Sequence, residues 1–245
     1  MTHARWDALR IVALLVFLTG PWPQAQAGEE ERHFLYVAVP GIRNYMEYGG
    51  HGLLVFDRDS EHRFVKRIAT AGLGPDGKPD NVKGVCASAA TELLHISTIR
   101  SLTCVDLKTG EVLWEREYEG GCDRMAIAPD GKTIYLPSFE KDHWHVVSAA
   151  DGAVLARIEP KSGAHNTIYG LDGKRVYLAG LRSPLLTVAN TSTHTIEKTV
   201  GPFAASIRPF TINGRQDRVF VCVNELLGFE VGDLRVAERV RGLHV

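Results

Sequence analysis

His143 and His145 flank a tryptophan in the segment Asp142-His143-Trp144-His145. Side chains alternate along an extended strand, so both imidazoles point to the same side. Two imidazoles and a nearby carboxylate form part of a metal site that needs a further protein ligand. His165 completes the candidate set His143, His145 and His165, with Asp123 and His51 as other donors, although no spacing rule links them. The plainer reading is a pair of loop histidines with Trp144 packed beneath.

A second group could bind an anion. Asp123, Arg124, His165, Asn166 and Arg208 recur at matching places in an internal repeat. Asp123, His165 and Ile207 share one position, and Arg124, Asn166 and Arg208 the next. Guanidinium groups offer a rigid fork of donors that suits a carboxylate or a phosphate. The competing reading is that the arginines pair with Asp123 and loop carbonyls and bind nothing.

The repeat is what must position these residues. MAIAPDGKTIYLPS begins at Met125, TIYGLDGKRVYLAG at Thr167 and PFTINGRQDRVFVCV at Pro209, placing Gly131, Gly173 and Gly214 in register. Each stretch reads as a strand, a tight Asp-Gly or Asn-Gly turn that needs positive φ, and a second strand. ASAATELLHIST (Ala87 to Thr98) fits the same frame without its glycine, and places His95 where Tyr135 falls. LTCVDLKTGEVLWERE, HVVSAADGAVLARIEP and LLTVANTSTHTIEKTV supply a second strand pair after each. Four short strands in a period of ~40–45 residues predict an all-β β-propeller of four-stranded antiparallel blades, whereas a β-sandwich requires no fixed period.

Five blades are expected, at about 34–70, 83–118, 122–160, 164–202 and 205–242, within a domain spanning 28–245. The first lacks an inner strand, because HFLYVAV is already of the second-strand type. APDGKTIYLPS, GLDGKRVYLAG and CVDLKTGEV resemble the repeats of the YVTN family of bacterial β-propellers, related to lactonase-like and quinoprotein-dehydrogenase-like propellers. The resemblance spans nearly all of the chain after residue 27. It implies a propeller, typically of seven blades, and leaves function open, because such folds carry unrelated activities. Two expectations follow: the chain is part of a seven-bladed parent, or it is a five-bladed ring with a three-stranded first blade.

Successive blade strands run up and down, so the consensus turns share one face and the irregular loops the other. Function is expected among the irregular loops. The repeat positions of Asp123 and His165 lead into the innermost strands, which places them at the mouth of the central channel, the default location of a small-molecule or anion site. Arg43, Asn44, Tyr45, Tyr48 and His51 form a long first-blade loop. It reads as a cover over that mouth in preference to a clamp on single-stranded nucleic acid.

Composition narrows the classes. The chain has 245 residues and a net charge of −1, without the basic excess of a nucleic-acid binder. Arg5 and Arg10, the apolar run Ile11 to Leu18 and Ala25-Gln26-Ala27 predict a signal peptide over 1–27, and hence a periplasmic or secreted protein without a membrane span after cleavage. Cys86, Cys104, Cys122 and Cys222 contain no C-x-x-C, which removes haem attachment, and no adjacent pair, which removes the vicinal disulfide of some quinone-dependent dehydrogenases. Cys104 and Cys222 are expected as buried thiols, and a Cys86–Cys122 bridge is left open. There is no nucleophile elbow and no H-E-x-x-H. The expectation is a binding or scaffold propeller with a small-molecule, anion or protein partner. The alternative is a lactonase or dehydrogenase, with metal assistance as one route.

Overall fold

The computed structural model describes residues 31–39, 52–69, 74–139 and 141–244. The signal peptide expected over 1–27 and Arg43, Asn44, Tyr45, Tyr48 and His51 lie outside the described residues. Among the described residues no helix is long and apolar enough to cross a membrane.

The chain is all-β, with five antiparallel sheets taken up in sequence order. Sheet one holds β1 (Phe34–Ala38), β2 (Leu53–Asp57) and β3 (Arg63–Ile68). Sheet two holds β4 (Val82–Ser88), β5 (Leu93–Thr98), β6 (Ser101–Asp106) and β7 (Val112–Glu117). Sheet three is β8 (Ala126–Ile127), β9 (Thr133–Pro137), β10 (Trp144–Ser148) and β11 (Val154–Ile158). Sheet four is β12 (Ala164–Tyr169), β13 (Arg175–Gly180), β14 (Leu186–Asn190) and β15 (Thr195–Val200). Sheet five is β16 (Ile207–Ile212), β17 (Arg218–Val223), β18 (Gly228–Asp233) and β19 (Glu238–His244). Every sheet is a meander of neighbouring strands, and the first has three.

Alternation along the second strand of each full blade builds the interior. In β9, Ile134 and Leu136 enter the core shared with sheet two, while Tyr135 enters the core shared with sheet four. In β13, Val176 and Leu178 turn back to sheet three, and Tyr177 and Ala179 turn forward to sheet five. Four such clusters join the five sheets in order. Among the described residues no cluster joins the fifth sheet to the first.

This explains a difference from the sequence reading. Cys104 is buried, but Cys222 is exposed. In β17 the inward set is Val219, Val221 and Val223, so Cys222 and Phe220 face forward, where no further sheet among the described residues covers them. With Phe210 and Phe229 they line an apolar depression on the last blade. At the other end of the row Leu35 and Phe64 are 45% and 54% exposed. All four cysteines are free thiols, so Cys86 and Cys122 share the core between sheets two and three without a bridge.

The third copy of the glycine turn is also different. Gly131 and Gly173 have φ of 72° and 69° and close their turns through their own N–H groups, onto Ala128 and Gly170. In the last blade the equivalent bond comes from the N–H of Gln216 to Asn213, and it is Gln216 that takes positive φ, at 54°. The Asn213 side-chain oxygen accepts from the N–H groups of Asp217 and Arg218 and holds this looser turn. Gly214 is therefore not the counterpart of Gly131. Gly131→Ala is expected to cost about 1–2 kcal/mol, from the left-handed backbone and a Cβ 2.8 Å from Thr91 Cγ2. Gly214→Ala, with open space around it, is expected to be neutral or to stabilise by roughly 0.4–1 kcal/mol. Urea melts of the two variants check this, and an equal cost at both positions would overturn the revised register.

Candidate functional site

Strand register fixes the equivalent residues independently of the turns. The innermost strands β4, β12 and β16 each break register at their start, between Val82 and Gly84, between Ala164 and Asn166, and between Ile207 and Phe210. The skipped residues are Lys83 in the first case, His165 in the second, and Arg208 with Pro209 in the third. A bulge leaves its residue outside the ladder and re-aims the side chain. Arg208 thus holds the place of His165, where the sequence reading put Ile207. Lys83 holds it in sheet two and was missed, although it sits one residue inside the innermost strand. Its ammonium lies 4.9 Å over the Phe139 ring.

Asp123 leads into β8. Its N–H donates to the Pro137 carbonyl at 2.9 Å, and its own carbonyl accepts from Ser97 Oγ at 2.8 Å. The carboxylate is fully buried, with Oδ2 2.6 Å from His165 Nδ1, while Oδ1 has no partner. On the far side of the imidazole the Arg124 guanidinium contacts Nε2. A carboxylate only accepts and a guanidinium only donates. Nδ1 therefore carries the ring proton and Nε2 the lone pair, so the imidazole between them is neutral. Arg124 and Asn166 also bridge backbone to backbone across sheets three and four.

Arg124, His165, Asn166, Arg208 and Pro209 line one cavity of about 400 Å³. Of the five ligand candidates, four are on its wall and Asp123 stands behind the imidazole. Arg208 is exposed and has no side-chain partner among the described residues. A larger cavity of about 600 Å³ lies between Arg100, Tyr118, Phe139 and Arg182. Its arginines are already paired, Arg100 with Asp80 at 2.9 Å and Arg182 with Asp142 at 2.6 Å. Lys141 and Glu117 also line the larger cavity, whereas the smaller one gathers two arginines, of which Arg208 is the one without a side-chain partner among the described residues.

The metal set is not brought together. His143 and His145 do point the same way, as alternation requires, with their Nε2 atoms 3.2 Å apart and each 3.1 Å from the Glu119 carbonyl. His143 Nδ1 accepts from Arg157 Nη2 at 3.2 Å, so its Nε2 carries a proton and donates to that carbonyl. Burial holds His143 below the ordinary histidine range, which keeps the ring neutral. His165 is held elsewhere by Asp123, and Asp142 is taken by Arg182. Among the described residues no three His, Cys, Asp or Glu side chains group as metal ligands. Residue spacing predicts the direction of the two rings correctly; Arg157 and Glu119, which occupy them, have no local signal.

No protein-family model and no curated protein matches the chain. Solved structures do match. The chain is similar to Kuenenia stuttgartiensis hydrazine synthase, at 18% identity and a TM-score of 0.60, over 74% of this chain and 53% of that one. It is similar to the Cps50 (Swd1) beta-propeller domain of Myceliophteria thermophila at 12% identity and a TM-score of 0.60, over 74% and 58%. The chain thus spans a little over half the length of these solved chains, and likeness at such identity concerns fold alone. The fold is a β-propeller.

Proposed function

We propose that this chain is an exported, YVTN-type β-propeller that binds a small anion at the mouth of its central channel. The observation carrying this reading is the cavity of about 400 Å³ where three successive blades contribute Arg124, His165 with Asn166, and Arg208, which has no side-chain partner among the described residues. Charge-assisted hydrogen bonds from two guanidinium forks favour carboxylate or phosphate oxygens. Arg5, Arg10, the apolar run after them and Ala25-Gln26-Ala27 support export to the periplasm or beyond. Rigid blades with irregular loops also suit a scaffold for a protein partner.

One feature favours the enzyme reading as the second choice. A buried carboxylate fixing the tautomer of an imidazole that opens on a cavity is the arrangement of a general base.

Titration calorimetry with sulfate and oxalate tests the binding reading. Both anions are expected to bind, and Arg208→Ala to weaken binding about tenfold or more, equivalent to ~1.4 kcal/mol. Arg215→Ala, on an exposed turn, is expected to leave it unchanged. Equal affinity in Arg208→Ala and the parent protein would remove the site.

A further inference from the structure

Carboxylate, imidazole and guanidinium stand in a row at the channel mouth, and the row is complete without a ligand. Asp123 Oδ2 accepts from His165 Nδ1 at 2.6 Å, and Arg124 caps the lone pair on Nε2. An oxyanion entering the cavity competes for Arg124. A guanidinium attracts a full negative charge more strongly than the lone pair of a neutral ring, so it turns from the ring to the ligand. That move leaves the Nε2 lone pair facing a negative charge, with Asp123 buried behind it. Lone pair against anion is repulsive, whereas a proton on Nε2 turns the same contact into a donated, charge-assisted bond.

We infer, resting on the proposed anion site, that oxyanion binding at the channel mouth is coupled to uptake of one proton from solvent by His165 Nε2. The charged groups facing the ring are Asp123 and Arg124 from sheet three and Arg208 across the cavity from sheet five. Asp123 favours the imidazolium and the two arginines oppose it. The incoming anion neutralises that opposition, which is why the proton arrives with the ligand. The second carboxylate oxygen of Asp123 has no hydrogen-bond partner among the described residues, so no donor there drains its charge. The ligand class that follows is a small oxyanion with an oxygen free to accept from Nε2–H, a carboxylate or a phosphate. Its affinity must fall as pH rises, because the complex binds one more proton than the free protein.

The test is calorimetry with oxalate and with sulfate, both fully ionised near neutral pH. It is run in the cationic buffers imidazole, bis-Tris and Tris, which differ in ionisation enthalpy and do not compete for the site. The slope of observed enthalpy against buffer ionisation enthalpy is expected to report about one proton taken up per anion. Affinity is expected to drop about tenfold per pH unit on the alkaline side. In His165→Gln, which keeps a hydrogen-bonding side chain of similar reach, uptake and pH dependence are expected to vanish. Asp123→Asn is expected to bind with reduced uptake at the same pH. Anion binding with no buffer dependence, or with the same uptake in His165→Gln, overturns the proton coupling and leaves the anion site standing. No binding of either anion to the parent protein overturns both.

Discussion

Trp144→Ala is expected to destabilise the chain by about 3–5 kcal/mol, the cost of emptying a large aromatic site in a packed interior. Trp144 is completely buried on β10, between sheets three and four, against Tyr135, Val176 and Leu178. Its Nε1 donates to Thr167 Oγ1 on β12 at 2.8 Å, a side-chain bond across the two sheets. Trp114 is the internal control. It lies half-buried on the outer strand β7, with Nε1 donating to the Ala150 carbonyl at 2.8 Å. Both tryptophans bond and both bridge blades, so burial is the variable that separates them. Trp114→Ala is expected to cost roughly 1–2 kcal/mol less than Trp144→Ala, in proportion to the apolar area each removes from solvent. Trp144→Phe divides the larger cost. It keeps most of the ring volume and leaves the Thr167 hydroxyl without its partner, a loss of about 1–3 kcal/mol. Denaturant unfolding followed by far-UV circular dichroism measures all three, and equal costs at the two tryptophans would contradict the packing described. Cooperativity in repeat folds is largely between neighbours, so a broadened transition in Trp144→Ala is also expected as sheets three and four uncouple.

The propeller is legible in the sequence because its determinants are local. Turn chemistry at Asp130-Gly131 and Asp172-Gly173 and the two-residue alternation in TIYLP and RVYLAG are written within a few residues of chain. The same locality misleads at Asn213-Gly214, where the dipeptide looks like the repeat turn. There the Asn213 side chain supports a longer loop and Gln216 takes the left-handed position. The sequence pairs Arg208 with Asn166, one position away from the place of His165 that strand register gives it. Cys222 shows a different limit. Its alternation is plain in the sequence, but whether the forward face of β17 is covered depends on a neighbour that the strand's own residues do not specify. The pairings at the site are more distant still. A period of about 42 residues brings Asp123 and His165 to equivalent places on adjacent blades, and only packing shows that equivalent places touch.

Acid is expected to destabilise the chain in two separate windows, with histidines controlling the first. His95, His143 and His194 all titrate below the ordinary histidine value, chiefly because burial disfavours the charged ring. His95 is the deepest. It is fully buried where other blades carry Tyr135 and Tyr177, and its Nε2 donates to the Ala149 carbonyl at 2.8 Å. Its Nδ1 has no partner to receive a second proton. The sign follows from proton counting. Below about pH 6.5 the unfolded chain protonates these rings while the folded chain does not, so the unfolded state binds more protons and stability falls with pH. The loss ends when the folded-state rings titrate as well. One wholly depressed histidine gives a slope of at most ~1.4 kcal/mol per pH unit, and His143 and His194, in the thinner loop and rim layers, give less. A fall of about 1–2 kcal/mol between pH 7 and pH 5 is expected. The second window is lower and belongs to carboxylates held down by arginines. Asp233 bonds to Arg235 and faces Arg218, so its contribution persists until pH falls below the ordinary carboxylate range. His95→Tyr, which installs the residue of the next blade, is expected to flatten the first window and leave the second in place. Urea midpoints at about pH 7, 6, 5, 4, 3 and 2 for parent and variant separate the two. An unchanged slope between pH 7 and 5 in His95→Tyr would assign the acid lability to other groups.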